Sequence, residues 1–93
     1  MALLSDSDLE TRLAAAPAWR REDGTIVRDY SLENFEAAIQ FVDRVAAVAE
    51  VKNHHPDILV HGWNKVRLTL STHSEGGLTD AGFELAALID QLD

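Results

Sequence analysis

The chain has 93 residues, of which 46% are hydrophobic and 26% charged, as in an ordinary globular protein, and we expect residues 1–93 to form a single domain. It contains no cysteine, which excludes disulfides, thiolate metal ligands and a nucleophilic thiol. The formal net charge of −8 argues against direct binding of nucleic acid, because phosphate contacts require Lys and Arg.

The N-terminal segment predicts a short helix and no membrane anchor. Its apolar run ends at Ser5, far too early for a signal peptide or a membrane span, so we expect a cytoplasmic protein without a membrane partner. Ser5 followed by Asp8 resembles a capping box, which predicts a helix from about Asp6 to Ala15. Pro17 ends this helix, because proline disfavours helical geometry in the residue before it.

The segment from Trp19 to Tyr30 predicts a β-hairpin. β-Branched and aromatic residues lie on both sides of Asp23 and Gly24, and an Asp-Gly pair is a strong signal for a hairpin turn. We therefore expect two short antiparallel strands here.

The next segment predicts a long central helix, with Ser31 as its N-cap and an end near Asn53. Its apolar residues recur at intervals of three and four, as expected for a helix with one buried face. The predicted stripe consists of Leu32, Phe35, Ile39, Val42, Val45, Ala46 and Ala49.

A second strand pair and a last helix complete the predicted fold. Ile58–Val60 form one strand, and residues 65–72 alternate with a period of two, as in a strand with one buried face. Thr79 is the predicted N-cap of a helix whose apolar stripe includes Leu85 and Ile89. The order α-β-β-α-β-β-α predicts an α+β fold, a four-stranded antiparallel sheet with three helices packed on one face.

Three of the four histidines lie at two places in this predicted fold. His54 and His55 follow the central helix, and His73 ends the last strand. Glu50 precedes His54 by four residues, so a helix that extends this far would place the carboxylate where it orients the His54 ring. Imidazole ionises near neutral pH, which suits these side chains to acid/base chemistry.

Other interpretations of the same residues stay open at this point. Adjacent histidines at a helix end can simply cap its last carbonyl groups, and three histidines can also bind a metal ion. His61 is best explained as an exposed strand residue. Trp63 is either a wall on which a planar ligand stacks or a residue of the core.

The spacing of these residues resembles the signature of the pterin-4a-carbinolamine dehydratases, also called 4a-hydroxytetrahydrobiopterin dehydratases. The signature runs Glu50-x-x-x-His54-His55-Pro56, then Trp63-Asn64-Lys65-Val66 after six residues, and then Thr72-His73. The resemblance covers essentially the whole chain, because the predicted helices and strands fall where those of the family do.

The resemblance implies a dehydratase that converts 4a-hydroxytetrahydrobiopterin to quinonoid dihydropterin and water. This reaction recycles the cofactor of aromatic amino-acid hydroxylases, with the pterin as substrate and with no metal or other cofactor. By resemblance, the catalytic residues are His54, His55, His73 and Glu50. The substrate-binding residues are His54, His55, Pro56, Trp63, Thr72, His73, Ser74 and Glu75.

The resemblance also implies a homodimer or homotetramer. The alternative function is that of a non-catalytic interaction protein of the same fold, either a dimerisation partner or an assembly factor. One position departs from the family, which commonly has an aspartate nine residues after the strand-end histidine, where this chain has Gly82. Asp80 lies two residues earlier, so its carboxylate either substitutes or the feature is lost.

Overall fold

The computed structural model describes residues 2–92, apart from the side chain of His73. In chain order the elements are α1 (Asp6–Ala14), β1 (Arg20–Glu22), β2 (Thr25–Ser31), α2 (Phe35–Lys52), β3 (Asp57–His61), β4 (Lys65–Leu70) and α3 (Asp80–Asp90). A single 3-10 turn, His73–Glu75, lies between β4 and α3. The predicted order α-β-β-α-β-β-α is confirmed.

The four strands form one antiparallel sheet in the order β1-β2-β4-β3. The central strand β4 alternates as predicted, since Val66, Leu68 and Leu70 are fully buried while Lys65 is exposed. The ladder ends at Leu70, however, and Thr72 instead forms an isolated bridge with Gly77. The segment after β4 is therefore a closed loop rather than a continuation of the strand to Thr72.

All three helices pack on the same face of the sheet. The buried side chains of the strands share one hydrophobic cluster with those of the helices: Leu9 from α1; Phe41 and Val45 from α2; Leu85 and Ile89 from α3; and Ile26, Tyr30, Val66, Leu68 and Leu70 from the sheet. The opposite face carries charged pairs such as Arg67 with Asp29. This arrangement confirms the predicted fold class.

The first helix and the hairpin follow the sequence closely. The Ser5 side chain accepts a hydrogen bond from the Asp8 amide at 3.1 Å, so the predicted N-cap is confirmed. The hairpin turns at Asp23 and Gly24, with Asp23 in the left-handed conformation (φ 53°) that such turns require.

The predicted N-cap of α2 is wrong. Ser31 is the last residue of β2, and α2 begins three residues later than expected, with Asn34 accepting from the Ala37 amide at 2.8 Å. The reason lies beyond β2, where the Leu32 amide donates to the Asn64 carbonyl at 2.8 Å. This bond keeps the backbone extended past Ser31 and delays the helix.

The predicted buried face of α2 is only partly right. Val45 and Ala49 are buried as expected, but Phe35 and Ile39 are 56% and 38% exposed. The buried face is made by Ala38, Phe41, Val45 and Ala49. The helix is apolar on more than one side, and packing of the Phe41 ring on Tyr30, with centroids 4.5 Å apart, selects the side that meets the sheet.

The last helix begins at the predicted place. Thr79 is fully buried, and its hydroxyl accepts from the Ala81 amide at 3.3 Å. Leu85 and Ile89 are fully buried, which confirms the predicted stripe. The N-terminus of α3 therefore lies next to the loop that follows β4, and the two together form one wall of the candidate site.

Candidate active site

The two adjacent histidines follow α2 but do not belong to it. The helix ends at Lys52, and Asn53 adopts the left-handed conformation (φ 49°) with its amide donating to the Glu50 carbonyl at 3.2 Å. The His54 amide closes the helix end by donating to the Ala49 carbonyl at 3.1 Å. This is a left-handed helix cap, in which asparagine is a favoured substitute for glycine.

His54 joins this corner to the end of β4. Its Nε2 lies 2.6 Å from the backbone carbonyl oxygen of Ser71, the first residue after the strand. The ring is half-buried, and its Nδ1 atom is buried without a hydrogen-bond partner among the described residues.

Glu50 contacts His55, and the prediction that it orients His54 is wrong. Its Oε2 lies 2.5 Å from His55 Nε2, and the two side chains are 74% and 60% exposed respectively. The spacing of four residues applies only inside a helix. Because Asn53 turns the backbone out of α2, His54 faces β4 and His55 returns to the carboxylate.

Both histidines line one cavity of about 390 Å³. Its other lining residues are Lys52, Asn53, Ser71, Thr72, Ser74, Glu75 and Ala81. Three of the predicted substrate-binding positions, Thr72, Ser74 and Glu75, thus come together with His54 and His55. The side chain of His73 lies outside the described part of the structure, although its backbone begins the 3-10 turn at this cavity.

The turn that carries His73 is fixed at both ends. The Thr72 amide donates to the Gly77 carbonyl at 2.7 Å, which closes the loop, and the Glu75 amide donates to the Thr72 carbonyl at 3.0 Å. The hydroxyls of Thr72 and Thr79 lie 2.6 Å apart, so the loop is also tied to the N-terminus of α3. The backbone of one cavity wall is therefore determined by contacts within the described residues.

Two predicted residues do not line this cavity. Pro56 follows His55 and precedes β3, whereas Trp63 lies beyond the far end of that strand, in the turn to β4. Trp63 is 62% exposed and has a φ of 61°, so it is not a core residue. A role for either side chain in substrate binding stays a prediction. His61 is exposed at the end of β3 and does not line the cavity.

Four lining residues were not predicted: Lys52, Asn53, Ser71 and Ala81. Lys52 had a detectable signal, since a cation in the last helical turn next to two histidines places positive charge at the same corner. Ser71 had no detectable signal in the sequence, because its contact with His54 is made by the backbone carbonyl group, which every residue type has.

Position 82, where the resemblance led us to expect an aspartate, faces His54, and Asp80 has a partner elsewhere. Gly82 is buried in the first turn of α3, and a Cβ atom there would lie 3.9 Å from His54 Cε1 and 3.6 Å from Leu78. The Asp80 carboxylate accepts instead from Arg12 of α1 at 2.9 Å. In the described contacts, neither of these two residues brings a carboxylate to His54.

Metal binding receives no support from the described side chains, which form no cluster of three His, Asp or Glu residues able to hold an ion. Because the His73 side chain is not part of that description, a metal-free site stays a prediction. Within residues 2–92, the helices lack the combination of length and apolar character needed to cross a bilayer.

The fold and the cavity define a small α+β protein with a paired-histidine site. Residues 2–92 match the model of the family described as pterin 4 alpha carbinolamine dehydratase. A Chloroflexus aurantiacus protein with the provisional name pterin-4-alpha-carbinolamine dehydratase is 49% identical over 92 residues, which cover 99% of this chain and 98% of that protein. The chain therefore belongs to the pterin-4-alpha-carbinolamine dehydratase family.

Solved structures share the fold. A Brucella melitensis protein described as a transcriptional coactivator/pterin dehydratase superposes with a TM-score of 0.89 at 30% identity, covering 97% of each chain. A pterin dehydratase-like protein identified as a RuBisCO assembly factor in the α-carboxysome superposes with a TM-score of 0.62 over 80% of this chain and 84% of its own. At 24% identity, the second likeness shows the fold alone.

Proposed function

We propose that the chain dehydrates 4a-hydroxytetrahydrobiopterin, or a closely related 4a-hydroxytetrahydropterin, to quinonoid dihydropterin and water. The observation that carries the proposal is the convergence of His54 and His55 on one cavity with the Thr72–Glu75 segment, in a chain of this family. The cavity, at about 390 Å³, falls in the range of small-molecule sites.

The reaction requires two proton transfers, for which histidine side chains are suited. The bond from C4a to the hydroxyl oxygen breaks, the oxygen leaves as water after receiving a proton, and N5 gives up its proton as the C4a–N5 double bond forms. Histidine serves as acid or base near neutral pH without perturbation. Water elimination changes no oxidation state overall, so the reaction needs no redox cofactor. The proposal also includes no metal ion, in line with the family resemblance.

The residues have distinct places in the proposed site. His55 is the acid/base group with a carboxylate partner, since Glu50 contacts it at 2.5 Å. His73 is included through the family motif, and its backbone position at the cavity is compatible with that role. Thr72, Ser74 and Glu75 form the wall against which the pterin ring would bind.

A stopped-flow assay tests the proposal. The substrate is generated enzymatically, and its decay is followed with and without the purified protein. We expect a first-order acceleration over the spontaneous dehydration that rises in proportion to protein concentration. A decay rate unchanged at micromolar protein would contradict the proposal.

The alternative is an interaction role on the same fold. It is favoured by Phe35 and Ile39, apolar side chains of α2 that are 56% and 38% exposed. Such a role does not need the histidines, so substitution of His55 would leave partner binding intact while removing dehydration.

A cytoplasmic location stays a prediction from the sequence.

A further inference from the structure

The segment before α1, residues 2–5, packs against the end of the loop that follows β4. We call this segment the N-terminal strap. The Leu4 amide donates to the Leu78 carbonyl oxygen at 2.9 Å. The Leu3 side chain approaches the preceding residue, Gly77, so closely that a Cβ atom there would lie 3.1 Å from Leu3 Cδ2. The strap therefore contacts two consecutive residues between β4 and α3.

Gly77 closes the loop that forms one wall of the candidate site. Its carbonyl oxygen accepts from the Thr72 amide at 2.7 Å, and its amide donates to the Thr72 carbonyl oxygen at 3.4 Å. The turn His73–Glu75 lies between these two residues, and Ser74 and Glu75 line the cavity. Because the bridge joins the two ends of the loop, a displacement of Gly77 would displace the turn as well.

The close approach of Leu3 explains why position 77 is occupied by a residue without a side chain. Among the described residues, the glycines with a left-handed backbone are Gly62 and Gly76, so the backbone of Gly77 does not require glycine. Carbon atoms in contact are usually about 3.5 to 4.0 Å apart, so a Cβ atom at position 77 would force the Leu3 side chain or the loop to move. The hairpin turn also reaches this residue, since a Cβ atom on Gly24 would lie 3.7 Å from Gly77 Cα. The strap, the hairpin turn and the loop thus meet at Gly77.

We propose that the N-terminal strap is a positioning element of the site, which holds the loop 72–77 in place through the contact of Leu3 with Gly77. The kinetic part of this proposal rests on the proposed function. None of the strap residues lines the cavity of the candidate site, so an effect of the strap on the reaction passes through the loop. Leu3 is 54% exposed and adds little to the core, so its replacement should loosen the loop without unfolding the domain.

Amide hydrogen exchange tests the contact without a substrate. In Leu3→Ala, we expect the Thr72 and Glu75 amides, which are bonded within the loop, to exchange about tenfold faster than in the wild type, while the amides of β4 keep their rates. The control is Leu59→Ala, because Leu59 is 53% exposed but belongs to β3, and it should leave the loop amides unchanged. Unchanged loop exchange in Leu3→Ala, an equal acceleration in β4, or the same acceleration in the control would overturn the proposal.

The dehydration assay tests the consequence for the reaction. A displaced cavity wall misplaces the substrate, and a misplacement of about 1 Å can cost about 10²-fold in rate. We expect Leu3→Ala to lower kcat/KM by about tenfold with a raised KM, whereas a smaller folded fraction would lower kcat alone. Leu3→Met, with a similar apolar volume, should stay near the wild type. A loss of kcat at unchanged KM in Leu3→Ala, or an equal loss in Leu3→Met, would overturn the positioning role.

A double-mutant cycle assigns the effect to this one contact. Gly77→Ala adds the Cβ atom that the Leu3 side chain opposes, and we expect it to lower kcat/KM on its own. In the Leu3→Ala background, where Cδ2 is absent, the same substitution should cost less than it does in the wild type. Losses that multiply would show that the two residues act independently and would overturn the proposal. If the wild type shows no dehydration, the exchange rates of the same four proteins complete the cycle, so failure of the proposed function and failure of this inference are distinguishable.

Discussion

The two adjacent histidines have different partners although one short stretch of backbone carries both. His54 contacts a backbone carbonyl at 2.6 Å, and His55 contacts the Glu50 carboxylate at 2.5 Å. The difference originates in Asn53, whose left-handed conformation ends α2 and sends consecutive side chains in different directions. An exposed pair such as Glu50 with His55 contributes little to the stability of the fold.

The first prediction concerns the Glu50 side chain. Exposed ion pairs contribute about 0.2 to 1 kcal/mol, and 1 kcal/mol corresponds to about fivefold in rate. Glu50→Gln should therefore lower kcat/KM by no more than about fivefold. Asp43→Asn, which removes one charge from an exposed position of the same helix, is the control and should be neutral. A loss of 10²-fold in Glu50→Gln would show that the carboxylate takes a direct part in the reaction.

The residue types of the site could be predicted from the sequence, but their partners could not. Three histidines and Glu50 stand at a recognisable spacing. Which histidine contacts the carboxylate depends on the left-handed backbone conformation of Asn53, and helical periodicity contains no information about it. The acceptor of His54 is a backbone carbonyl, which no side-chain pattern can reveal.

At the scale of single elements, α2 shows where local signals compete. Ser31 and Asn34 both have side chains that can cap a helix. Ser31 is the last residue of β2, so Asn34 is the N-cap of α2. The apolar residues of α2 fit two overlapping stripes, of which packing on the sheet buries one. In β4 the sequence allows only one buried face, because the polar residues Lys65, Arg67 and Thr69 alternate with apolar residues.

The second prediction distinguishes the two candidate caps. Asn34→Ala removes the acceptor of the Ala37 amide and should lower the free energy of unfolding by about 1 kcal/mol. Ser31→Ala leaves this cap intact and should change stability by less than about 0.5 kcal/mol. Urea denaturation of both variants gives the comparison, and a larger loss in Ser31→Ala would contradict the observed helix start.

The third prediction concerns the charged face of the sheet. Asp29 accepts from Arg67 Nε at 2.8 Å and from Arg20 at 3.0 Å. The hydrogen bond from Arg67, aided by that from Arg20, holds the pKa of Asp29 below its ordinary value of 3.8. A pKa that is lower in the folded state adds stability above the ordinary value, and this stability is lost as the pH falls through the folded value.

Asp29→Asn should therefore show a weaker loss of stability on acidification than the wild type. The measurement is the unfolding free energy at pH 7 and at about pH 3, where the unfolded carboxyl is mostly protonated. At pH 7 the variant should be the less stable of the two. An identical pH dependence of both proteins would mean that the pair with Arg67 is not maintained in solution.

At the scale of the whole molecule, the sheet order and the open surfaces decide what remains accessible. The order β1-β2-β4-β3 leaves β1 and β3 at the two edges of the sheet, and α2 keeps Phe35 and Ile39 exposed. The number and type of elements followed from the sequence. The exposed apolar surface could not be predicted from the sequence, because tertiary packing determines which side of α2 faces the sheet.

The fourth prediction is association of copies of this chain. We propose that the exposed apolar side of α2 is buried in a homodimer or homotetramer, because a 93-residue chain has a small core of its own. Sedimentation velocity at micromolar concentration should show an oligomer. Phe35→Glu should shift it toward monomer, whereas Gln40→Glu, which adds the same charge at another exposed position of α2, should not. A wild-type protein that sediments only as monomer would contradict the proposal.

The most direct measurement is the dehydration rate of 4a-hydroxytetrahydropterin with three proteins: wild type, His55→Ala and His61→Ala. His55 lines the cavity with its Glu50 partner, while His61 is exposed at the end of β3 and outside the cavity. Loss of an acid/base group lowers a rate by about 10²-fold or more. The account predicts that loss for His55→Ala and a rate near wild type for His61→Ala, with both variants folded by circular dichroism. Equal rates for His55→Ala and the wild type would contradict it.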